Sequence, residues 1–311
     1  MHSSQPAQSK PSIVFFGSGP VAARSLELLA PSFSIEAVIT KPVTAAEMSQ
    51  ACPGVPIHTA HDRRSLNELC DSLCFTSHCA VLVDFGIIVS RQVIDRFPLG
   101  IINSHFSLLP QWRGADPISF AILSGQAETG VSLMLLVEAM DEGPLLAQAV
   151  QAIPEGATTP ELTALLIELS DAMLQAIVPM HLKGAAIPVP QETASLLGTV
   201  QPTYSRKLTK ADGILDWHKS AARLECEIRA FIQWPKSRTV LAGKDVIITA
   251  AHAADCAPLT TDGAIGTVSM PHSGGIGVVC GEGMLIIDRL KPAGKPEMPA
   301  AAFLAGHKHL L

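Results

Sequence analysis

The chain has 311 residues, 48% of them apolar and 16% charged, which is long for one domain and excludes global disorder. Seven cysteines without a CxxC pair exclude a regular disulfide framework and favour a reducing compartment. The polar start, residues 1–11, lacks the apolar stretch of a signal peptide, and the apolar runs are too short for a bilayer span of about 20 residues. We therefore expect a soluble, cytoplasmic protein with a flexible N-terminal tail.

Strands alternate with helices over the first two-thirds of the chain. Continuous apolar runs are typical of buried parallel strands, and apolar residues spaced three or four apart are typical of helices. The predicted strands are 12–17, 35–40, 80–86, 100–106 and 130–143, the last of which leaves into a Gly-containing turn. The predicted helices are 21–30, 65–74, 118–125 and 158–184. This alternation predicts an α/β domain with a mainly parallel, doubly wound sheet over residues 12–186.

The last third of the chain has a different pattern. Residues 187–203 are rich in Pro, Gln and Thr and predict a linker. Over residues 204–311 one predicted helix, 220–231, precedes short apolar runs divided by Gly and Pro, which favour a small β-barrel. Residues 1–202 hold 9 Lys/Arg against 18 Asp/Glu (−9), and residues 203–311 hold 13 against 10 (+3). That asymmetry favours an anionic partner for the C-terminal part, with a solvated surface as the alternative.

A cluster of sulfur and nitrogen ligands raises the question of a zinc site. Cys70, Cys74, His78 and Cys79 lie within ten residues of one another. However, Cys70 and Cys74 fall on a predicted helix, and free cysteines usually pack as small apolar side chains. We therefore predict buried thiols and no metal.

A possible dinucleotide fingerprint lies between the first strand and the first helix. Gly17, Gly19 and Ala22 match the pattern GxGxxA. Pro20 removes one backbone donor from this loop, and the second strand ends in Thr40 without an acidic residue to hold a ribose. A tight strand-to-helix turn without a nucleotide is the preferred interpretation, and a nucleotide-dependent oxidoreductase is the alternative.

Polar residues suited to acyl transfer lie around residue 105. Asn103 and His105 are two apart on a predicted strand, so both side chains project from one face near its carboxyl end. Asp141 ends another predicted strand. An amide and an imidazole N–H can stabilise an oxyanion, and a carboxylate can help remove a proton from an attacking amine. No Ser or Cys is placed as a nucleophile, so we expect direct transfer; a structural histidine is the alternative.

Four segments carry a resemblance to a known family. NSHFSLLPQWRGADPISFAILSGQAETGV (103–131) and MDEGPLLAQ (140–148) resemble the N-x-H…SLLPxxRG…D-x-G signature of folate-dependent formyltransferases. YSRKLTKADGILDW (204–217) and AARLECEIRAFIQWPKSRT (221–239) are similar to the methionyl-tRNA formyltransferases of that family. The resemblance runs from about residue 12 to the end, and it implies a Rossmann-like formyltransferase domain followed by an OB-like β-barrel that binds tRNA.

The resemblance also implies an activity and a set of site residues. The enzyme would transfer the formyl group of 10-formyltetrahydrofolate, without a metal, to methionine on initiator tRNA for translation initiation, as a monomer. Asn103 and His105 would stabilise the oxyanion, and Asp141 would hold His105 and a water that relays the amine proton. The Leu109–Pro110 bond would be cis. The folate pocket would be formed by Phe85, Gly86, Ile87, Ile88, Val89, Ser107, Leu108, Leu109, Pro110, Met140 and Gly143. The tRNA phosphates would contact Arg206, Lys207, Lys210, Arg229 and Lys236.

The sequence departs from the family pattern at three places. Asp84-Phe85-Gly86 stands where the family usually has A-Y-G, and Pro144 stands where an acidic residue is common. The family has a long Arg- and Lys-rich loop after Thr40-Lys41-Pro42, whereas residues 43–56 here are fewer and hold neither. Two rival functions are a formyltransferase acting on an amino sugar nucleotide or glycinamide ribotide, and a non-catalytic RNA-binding protein. Neither explains the active-site residues and the C-terminal segments together.

Overall fold

The computed structural model describes residues 10–194, 201–254, 264–269 and 275–307. Tertiary contacts divide the chain into a first unit (Met1–Gly114, Glu128–Ala152 and Thr163–Tyr204) and a second unit (Ala115–Ala127, Ile153–Leu162 and Ser205–Leu311). The domain boundaries expected from the sequence stay a prediction, because these units are grouped by contact and not by chain continuity. Residues 1–9 of the expected tail and Cys256 lie outside the described residues.

A seven-stranded sheet organises the first unit. Its strands are β1 (Ser12–Gly17), β2 (Ser34–Thr40), β3 (Ile57–Thr59), β4 (Ala80–Val83), β5 (Ile101–His105), β7 (Glu128–Leu135) and β8 (Leu145–Ala152). The short β6 (Arg113–Gly114) lies outside this sheet. The sheet order is β3-β2-β1-β4-β5-β7-β8, with parallel pairs up to β5 and antiparallel pairs from β5 to β8. The mainly parallel α/β sheet is therefore confirmed.

Burial of the strands explains why continuous apolar runs predicted them correctly in this part of the chain. Every residue of β4 and β5 is buried, and so is β1 after its first residue. The ring of Phe16 on β1 packs edge-on against Phe85 and Phe97, with centroids 5.5 and 5.9 Å away. A parallel strand covered on both faces needs apolar residues throughout, and that requirement produces the continuous runs seen in the sequence.

Nine α-helices lie in the described residues. They are α1 (Pro20–Leu29), α2 (Ala45–Ala51), α3 (Arg63–Ser72), α4 (Arg91–Ile94), α5 (Pro117–Ser124), α6 (Thr159–Leu182), α7 (Gln191–Ala194), α8 (Ala221–Ala230) and α9 (Ala300–His307). Helices α3, α4 and α8 begin at side-chain caps. Asp62 and Ser65 form a reciprocal capping box at α3, in which the Asp62 carboxylate accepts from the Ser65 N–H at 2.8 Å. The short α2 lies in the segment that lacks basic residues and was not expected from the sequence.

The strand expected to carry Asp141 ends earlier than predicted. β7 stops at Leu135, and Asp141 lies in a turn before β8. The Leu135 N–H donates to the carbonyl of Pro144 at 3.0 Å, which closes the β7–β8 hairpin and leaves residues 136–143 outside the ladder. The predicted strand is therefore confirmed as far as Leu135, and the Gly-containing turn into which it was expected to leave begins earlier than predicted, because an apolar stretch does not show where a hairpin closes.

An antiparallel sheet dominates the second unit. Its strands are β10 (Ser237–Leu241), β11 (Lys244–Ala254), β12 (Val268–Ser269), β13 (Ile276–Val279), β14 (Met284–Pro292) and β15 (Met298–Pro299). The short β9 (Tyr204–Ser205), which begins at the last residue of the first unit, lies outside this sheet. The order is β10-β11-β14-β13-β12, with β15 paired to β14. Leu224 and Ile228 of α8 are buried in the same apolar cluster as Ile248 and Leu285. This half-barrel confirms the second, OB-like part of the fold expectation.

One helix of the described chain is long and apolar enough to cross a membrane. In α6, 33% of the most apolar window is buried, and a core helix of a soluble protein passes the same test. Buried residues such as Leu166, Leu174 and Val178 recur along one side of α6. The finding is weak evidence, and the absence of a membrane association stays a prediction.

The four residues of the possible zinc site behave differently from one another. Cys70 and Cys79 are buried, Cys74 is exposed, and no group of three or more His, Cys, Asp or Glu among the described residues could hold a metal ion. Burial raises the pKa of the Cys70 and Cys79 thiols to about 12. Two of the three cysteines are therefore buried thiols, as predicted, and Cys74 is not.

Thiol labelling tests this difference. At pH 8 a disulfide reagent should modify the exposed Cys74 rapidly. Cys70 and Cys79 should react only after unfolding, because burial keeps both thiols protonated and only the thiolate attacks the reagent. Peptide mass mapping with and without urea measures each site, and a Cys74→Ser variant identifies the fast phase. Protection of Cys74 by one equivalent of zinc would contradict this assignment.

Candidate active site

Strand β5 places two polar side chains in the middle of the first unit's sheet. Asn103 and His105 are 6% and 7% exposed, and they pair across the antiparallel ladder with Met134 and Ser132 of β7. Alternate residues of a strand share a face, so the two side chains point to the same side, as predicted. A buried amide and imidazole require polar partners at that end of the strand.

The carboxylate of Asp141 supplies those partners. Its Oδ1 lies 3.4 Å from Nδ2 of Asn103 and 3.8 Å from Nδ1 of His105. Its Oδ2 accepts a hydrogen bond of 2.7 Å from the backbone N–H of Gly114. The structure therefore brings together all three residues predicted to be catalytic, although Asp141 reaches them from a hairpin turn and not from a strand end.

The tautomer of His105 is set by a backbone carbonyl. Its Nε2 lies 2.8 Å from the oxygen of Trp112, and a carbonyl oxygen can only accept, so Nε2 carries the hydrogen. In the neutral ring Nδ1 then has a free lone pair, and it faces Asp141. His105 is thus arranged to take up a proton at Nδ1 beside a carboxylate that can stabilise the resulting cation.

Buried polar contacts hold the loop that carries Trp112. Ser132 Oγ donates to the carbonyl of Ser107 at 2.6 Å and accepts from the Leu109 N–H at 2.9 Å. Ser107 Oγ donates to the carbonyl of Gln111 at 2.6 Å. The Leu109–Pro110 peptide bond within this loop is cis, which confirms that prediction. The loop is therefore fixed to β7 by side chains that lie underneath it.

Asp141 and one residue of the neighbouring loop, Trp112, have backbone angles that most L-residues avoid. Trp112 and Asp141 have φ values of 56° and 53°. Next to them, Gly143 packs so closely that an added Cβ would lie 1.7 Å from the carbonyl oxygen of Leu135. Such left-handed residues cost of order 1–3 kcal/mol each, and they cluster at functional sites.

A buried side chain outside the predicted set completes the turn. Gln191 donates to the carbonyl oxygens of Asp141 and Gly143 at 2.7 and 2.9 Å, and it accepts from Arg113 at 2.7 Å. Arg113 also pairs with Glu142 at 3.1 Å. Sequence reasoning missed Gln191 because it lies in the predicted linker, where no strand or helix pattern indicates an inward-facing side chain.

The residues predicted to line a folate pocket differ in exposure. Phe85 and Val89 are buried in the core of the first unit and Ile87 packs against it, whereas Ile88 and Met140 are each 61% exposed. The four residues 107–110 are buried. A Cβ on Gly86 would lie 2.7 Å from Nζ of Lys41, so this ammonium group lies over the segment 85–89.

The GxGxxA loop is explained by packing. An added Cβ on Gly17 would lie 2.6 Å from the Cβ of Ala22, and Gly19 has a φ of 87°. Ser18 Oγ is shared with Thr40, at 3.3 Å, and with the Lys41 N–H, at 3.1 Å. The glycines therefore serve a tight strand-to-helix turn, which is the interpretation preferred from the sequence.

The five basic residues predicted to bind tRNA fall into two groups. Lys207, Lys210 and Lys236 are exposed. Arg206 forms a bidentate pair with Asp212, and this pair holds the pKa of Asp212 well below its usual range. The guanidinium of Arg229 is occupied within the second unit. It donates to Glu225 at 2.6 and 2.9 Å and to the carbonyl of Ala157 at 3.0 Å. Because its guanidinium already donates to these groups, Arg229 is not available to bind a phosphate in this conformation.

Comparisons with known proteins agree with this geometry. A family model described as formyl transferase matches residues 31–178, and a model of the formyl transferase C-terminal domain matches residues 207–308. In the solved N-formyltransferase of Helicobacter canadensis the same fold covers 90% of this chain and 98% of that one, with a TM-score of 0.66 and 16% identity. HypX from Aquifex aeolicus in complex with tetrahydrofolic acid gives a TM-score of 0.61 and 15% identity over 95% of this chain and 47% of its own. The fold and both domain matches define a formyltransferase.

Full-length relatives narrow the assignment. The methionyl-tRNA formyltransferase of Roseiflexus castenholzii is 35% identical over 94% of this chain and 95% of its own length. Those of Myxococcus xanthus and Halorhodospira halophila are 35% and 36% identical, over 96% and 95% of this chain and 96% of each relative. The chain therefore belongs to the methionyl-tRNA formyltransferase family. The formyltransferases use formyl-tetrahydrofolate as the one-carbon donor.

The close contact at Gly143 leads to a stability prediction. Gly143→Ala should lower the free energy of unfolding by about 1–3 kcal/mol, because a methyl group cannot fit against the Leu135 carbonyl without moving the Asp141 turn. It should also lower the rate of formyl transfer. Urea denaturation and initial rates measure both effects. Gly306→Ala is the matched control, since Gly306 is an exposed position of helix α9 where an added Cβ meets no neighbouring atom within 4 Å. Equal effects of the two substitutions would contradict the prediction.

Proposed function

We propose that this enzyme transfers the formyl group of 10-formyltetrahydrofolate to the α-amine of methionine on initiator tRNA, as a cytoplasmic monomer. The observation that carries the proposal is the convergence of Asn103 and His105 on the carboxylate of Asp141. Support for the acceptor comes from the relatives named methionyl-tRNA formyltransferase, which match nearly the whole chain at 31–36% identity. The structurally similar sugar N-formyltransferase, at 16% identity, supports the fold only.

His105 is proposed as the group that receives the amine proton. Its Nε2–H is already bonded to Trp112, so the ring has one free site, Nδ1, on the side of Asp141. A proton taken up there, directly or through a water, places an imidazolium beside a carboxylate. His105 can donate to an oxyanion only through Nδ1 and only after this protonation. Its predicted role in oxyanion stabilisation therefore follows from its role in proton transfer.

Asn103 is proposed as the donor that is ready before the reaction begins. Its amide has two N–H groups, and one is directed at Asp141 over a long 3.4 Å contact. The second can stabilise negative charge on the formyl oxygen in the transition state. Removing one preorganised donor of this kind typically costs about 100- to 1000-fold in rate.

The proposed steps balance without a covalent enzyme intermediate. The neutral amine forms a bond to the formyl carbon, and the carbonyl electron pair moves to oxygen. The amine proton goes to the site of His105 and Asp141. The carbonyl then re-forms, the bond to N10 of the folate breaks, and N10 leaves with a proton. This route fits a site in which three polar side chains converge and none of them is a Ser or Cys.

The proposed folate pocket lies along residues 85–89 and the turn that carries Met140. Ile88 and Met140 expose large apolar side chains, which a flat ring can cover. Phe85 and Val89 lie in the core behind this segment and keep it rigid. Gly143 and residues 107–110 contribute backbone that is already fixed by the contacts described above.

The proposed tRNA surface is the lysine patch, defined as Lys207, Lys210 and Lys236. All three are exposed, and they come from segments that pack together, because an added Cβ on Gly213 would lie 2.2 Å from the carbonyl oxygen of Lys236. Lysine ammonium groups bind phosphates as point charges and release counterions. Arg206 is shared with Asp212 and contributes less, and Arg229 is excluded from the patch.

The identity of the formyl acceptor is tested by comparing candidate acceptors in separate reactions. The enzyme is incubated with 10-formyltetrahydrofolate and either Met-tRNA, glycinamide ribotide or an amino sugar nucleotide, and formylated products are measured by mass spectrometry. Formyl-Met-tRNA should form at least about 100-fold faster than the others, because only Met-tRNA also engages the lysine patch. A faster reaction with a small acceptor would overturn the proposal.

Loss of His105 should affect turnover strongly. His105→Ala should lower kcat by roughly 100-fold or more, because both the proton acceptor and its cation are lost. Single-turnover formylation of Met-tRNA measures the rate. His61→Ala, an exposed histidine of the first unit, serves as the control and should retain normal activity. An unchanged rate in His105→Ala would refute this assignment.

The lysine patch should determine the salt dependence of tRNA binding. Replacing Lys207, Lys210 and Lys236 together by Ala should weaken tRNA binding and reduce the slope of log K against log[salt] by about one per lost phosphate contact. The KM for the folate should not change. A triple Ala variant of the exposed lysines 244, 291 and 295 is the matched control on the same unit. Equal slopes for the two triple variants would contradict the predicted surface.

A further inference from the structure

Gln191 is a buried side chain whose amide N–H groups are both directed at the Asp141 turn. It is 2% exposed and begins the short helix α7. Its amide nitrogen donates to two carbonyl oxygens of the turn, and its amide oxygen accepts from the guanidinium of Arg113. The orientation of the amide is unambiguous, because a carbonyl cannot donate and a guanidinium cannot accept.

The turn that Gln191 contacts needs support. Asp141 has a φ of 53°, a conformation that costs energy for any residue with a Cβ. Gly143 packs directly on Leu135. Gln191 binds the carbonyl oxygens of both residues, and so it holds the turn at both ends. Without these donors the two buried carbonyls lose partners, which favours a different backbone conformation.

Arg113 connects this support to the carboxylate. Its guanidinium binds Gln191 and Glu142, and the next residue in the chain, Gly114, donates its N–H to Asp141 Oδ2. Asp141 is therefore held by Gln191 through its main chain and by Gly114 through its side chain. Both contacts belong to one network, in which Gln191 is the member that touches the turn and Arg113 together.

We propose that Gln191 is a positioning residue for formyl transfer, which keeps the carboxylate of Asp141 within reach of Asn103 and His105. The inference rests on the role proposed above for Asp141. Gln191 contacts the main chain behind the carboxylate, so its effect should appear in the chemical step and not in the KM for Met-tRNA. The KM for the folate does not discriminate here, because the same turn carries Met140 and Gly143 of the proposed folate pocket.

The test combines two substitutions in the full-length enzyme. Gln191→Glu keeps the size of the side chain and an acceptor for Arg113, but it turns a carboxylate toward two carbonyl oxygens. We expect kcat to fall about 10-fold or more, with the KM for Met-tRNA changed less than about 2-fold. In an Asp141→Asn background the same substitution should cost less than about 2-fold further, because a residue that acts through Asp141 has nothing left to position.

Controls separate positioning from general damage. Gln175→Glu makes the same change at an exposed site on α6, where the amide contacts Asp171 and Ser32, and it should leave kcat unchanged. Gln191→Met removes the polar group without adding charge and carries the test if the Glu variant does not fold. Circular dichroism and urea unfolding check the fold of each protein, and single-turnover assays at high enzyme concentration measure the slow variants.

Each outcome decides between the possibilities. A rate loss confined to the background with Asp141 intact supports positioning. Equal rate losses in both backgrounds overturn the positioning role, because they show that Gln191 is merely structural. No rate loss in either background also overturns it. If Asp141→Asn itself reacts at the normal rate, the proposed role of Asp141 fails, and that result is distinct from a failure of Gln191 alone.

Discussion

The hydrogen bond from the Gly114 N–H to the carboxylate of Asp141 is the contact on which the candidate active site depends. This hydrogen bond joins the segment after β5 to the turn between β7 and β8. The two bonded residues are 27 positions apart in the chain, and β5 and β7 are neighbours in the sheet. With one oxygen of Asp141 bound there, the other is left facing Asn103 and His105. Asn103 and His105 lie on a buried strand, whereas Asp141 must be brought to them by its turn.

The energetic cost of the Asp141 backbone conformation and the stabilisation from the hydrogen bonds around it are of similar size and opposite sign. A left-handed Asp costs of order 1–3 kcal/mol. A hydrogen bond to a charged group contributes about 1.5–3 kcal/mol, and each neutral hydrogen bond contributes about 0.5–1.5 kcal/mol. The bonds from Gly114 and Gln191 are therefore sufficient to offset the unfavourable backbone of Asp141. This balance accounts for the presence of a buried glutamine in a segment that otherwise has little regular structure.

The second unit presents a different physical problem. Residues 203–311, which make up most of this unit, carry a net charge of +3, and their basic side chains are not equally available to a partner. Arg229 and Arg206 satisfy Glu225 and Asp212, so these arginines stabilise the unit instead of increasing its positive potential. The exposed lysines remain as the charges that an anionic partner can reach. Net charge thus indicates that a basic surface exists, but ion pairing inside the unit decides which residues form it.

The sequence by itself determined the parallel sheet, the positions of Asn103 and His105 on one face of β5, and the family, because these depend on local periodicity and on contiguous motifs. It did not determine where β7 ends, how Asp141 reaches the other two residues, which nitrogen of His105 carries the proton, or that Gln191 faces inward. Each of these depends on a specific contact between residues that are not chain neighbours, such as Leu135 with Pro144, His105 with Trp112, or Asp141 with Gln191, which is 50 residues away. Only the tertiary structure brings those groups within hydrogen-bonding distance, since neither hydropathy nor spacing encodes which backbone groups will meet.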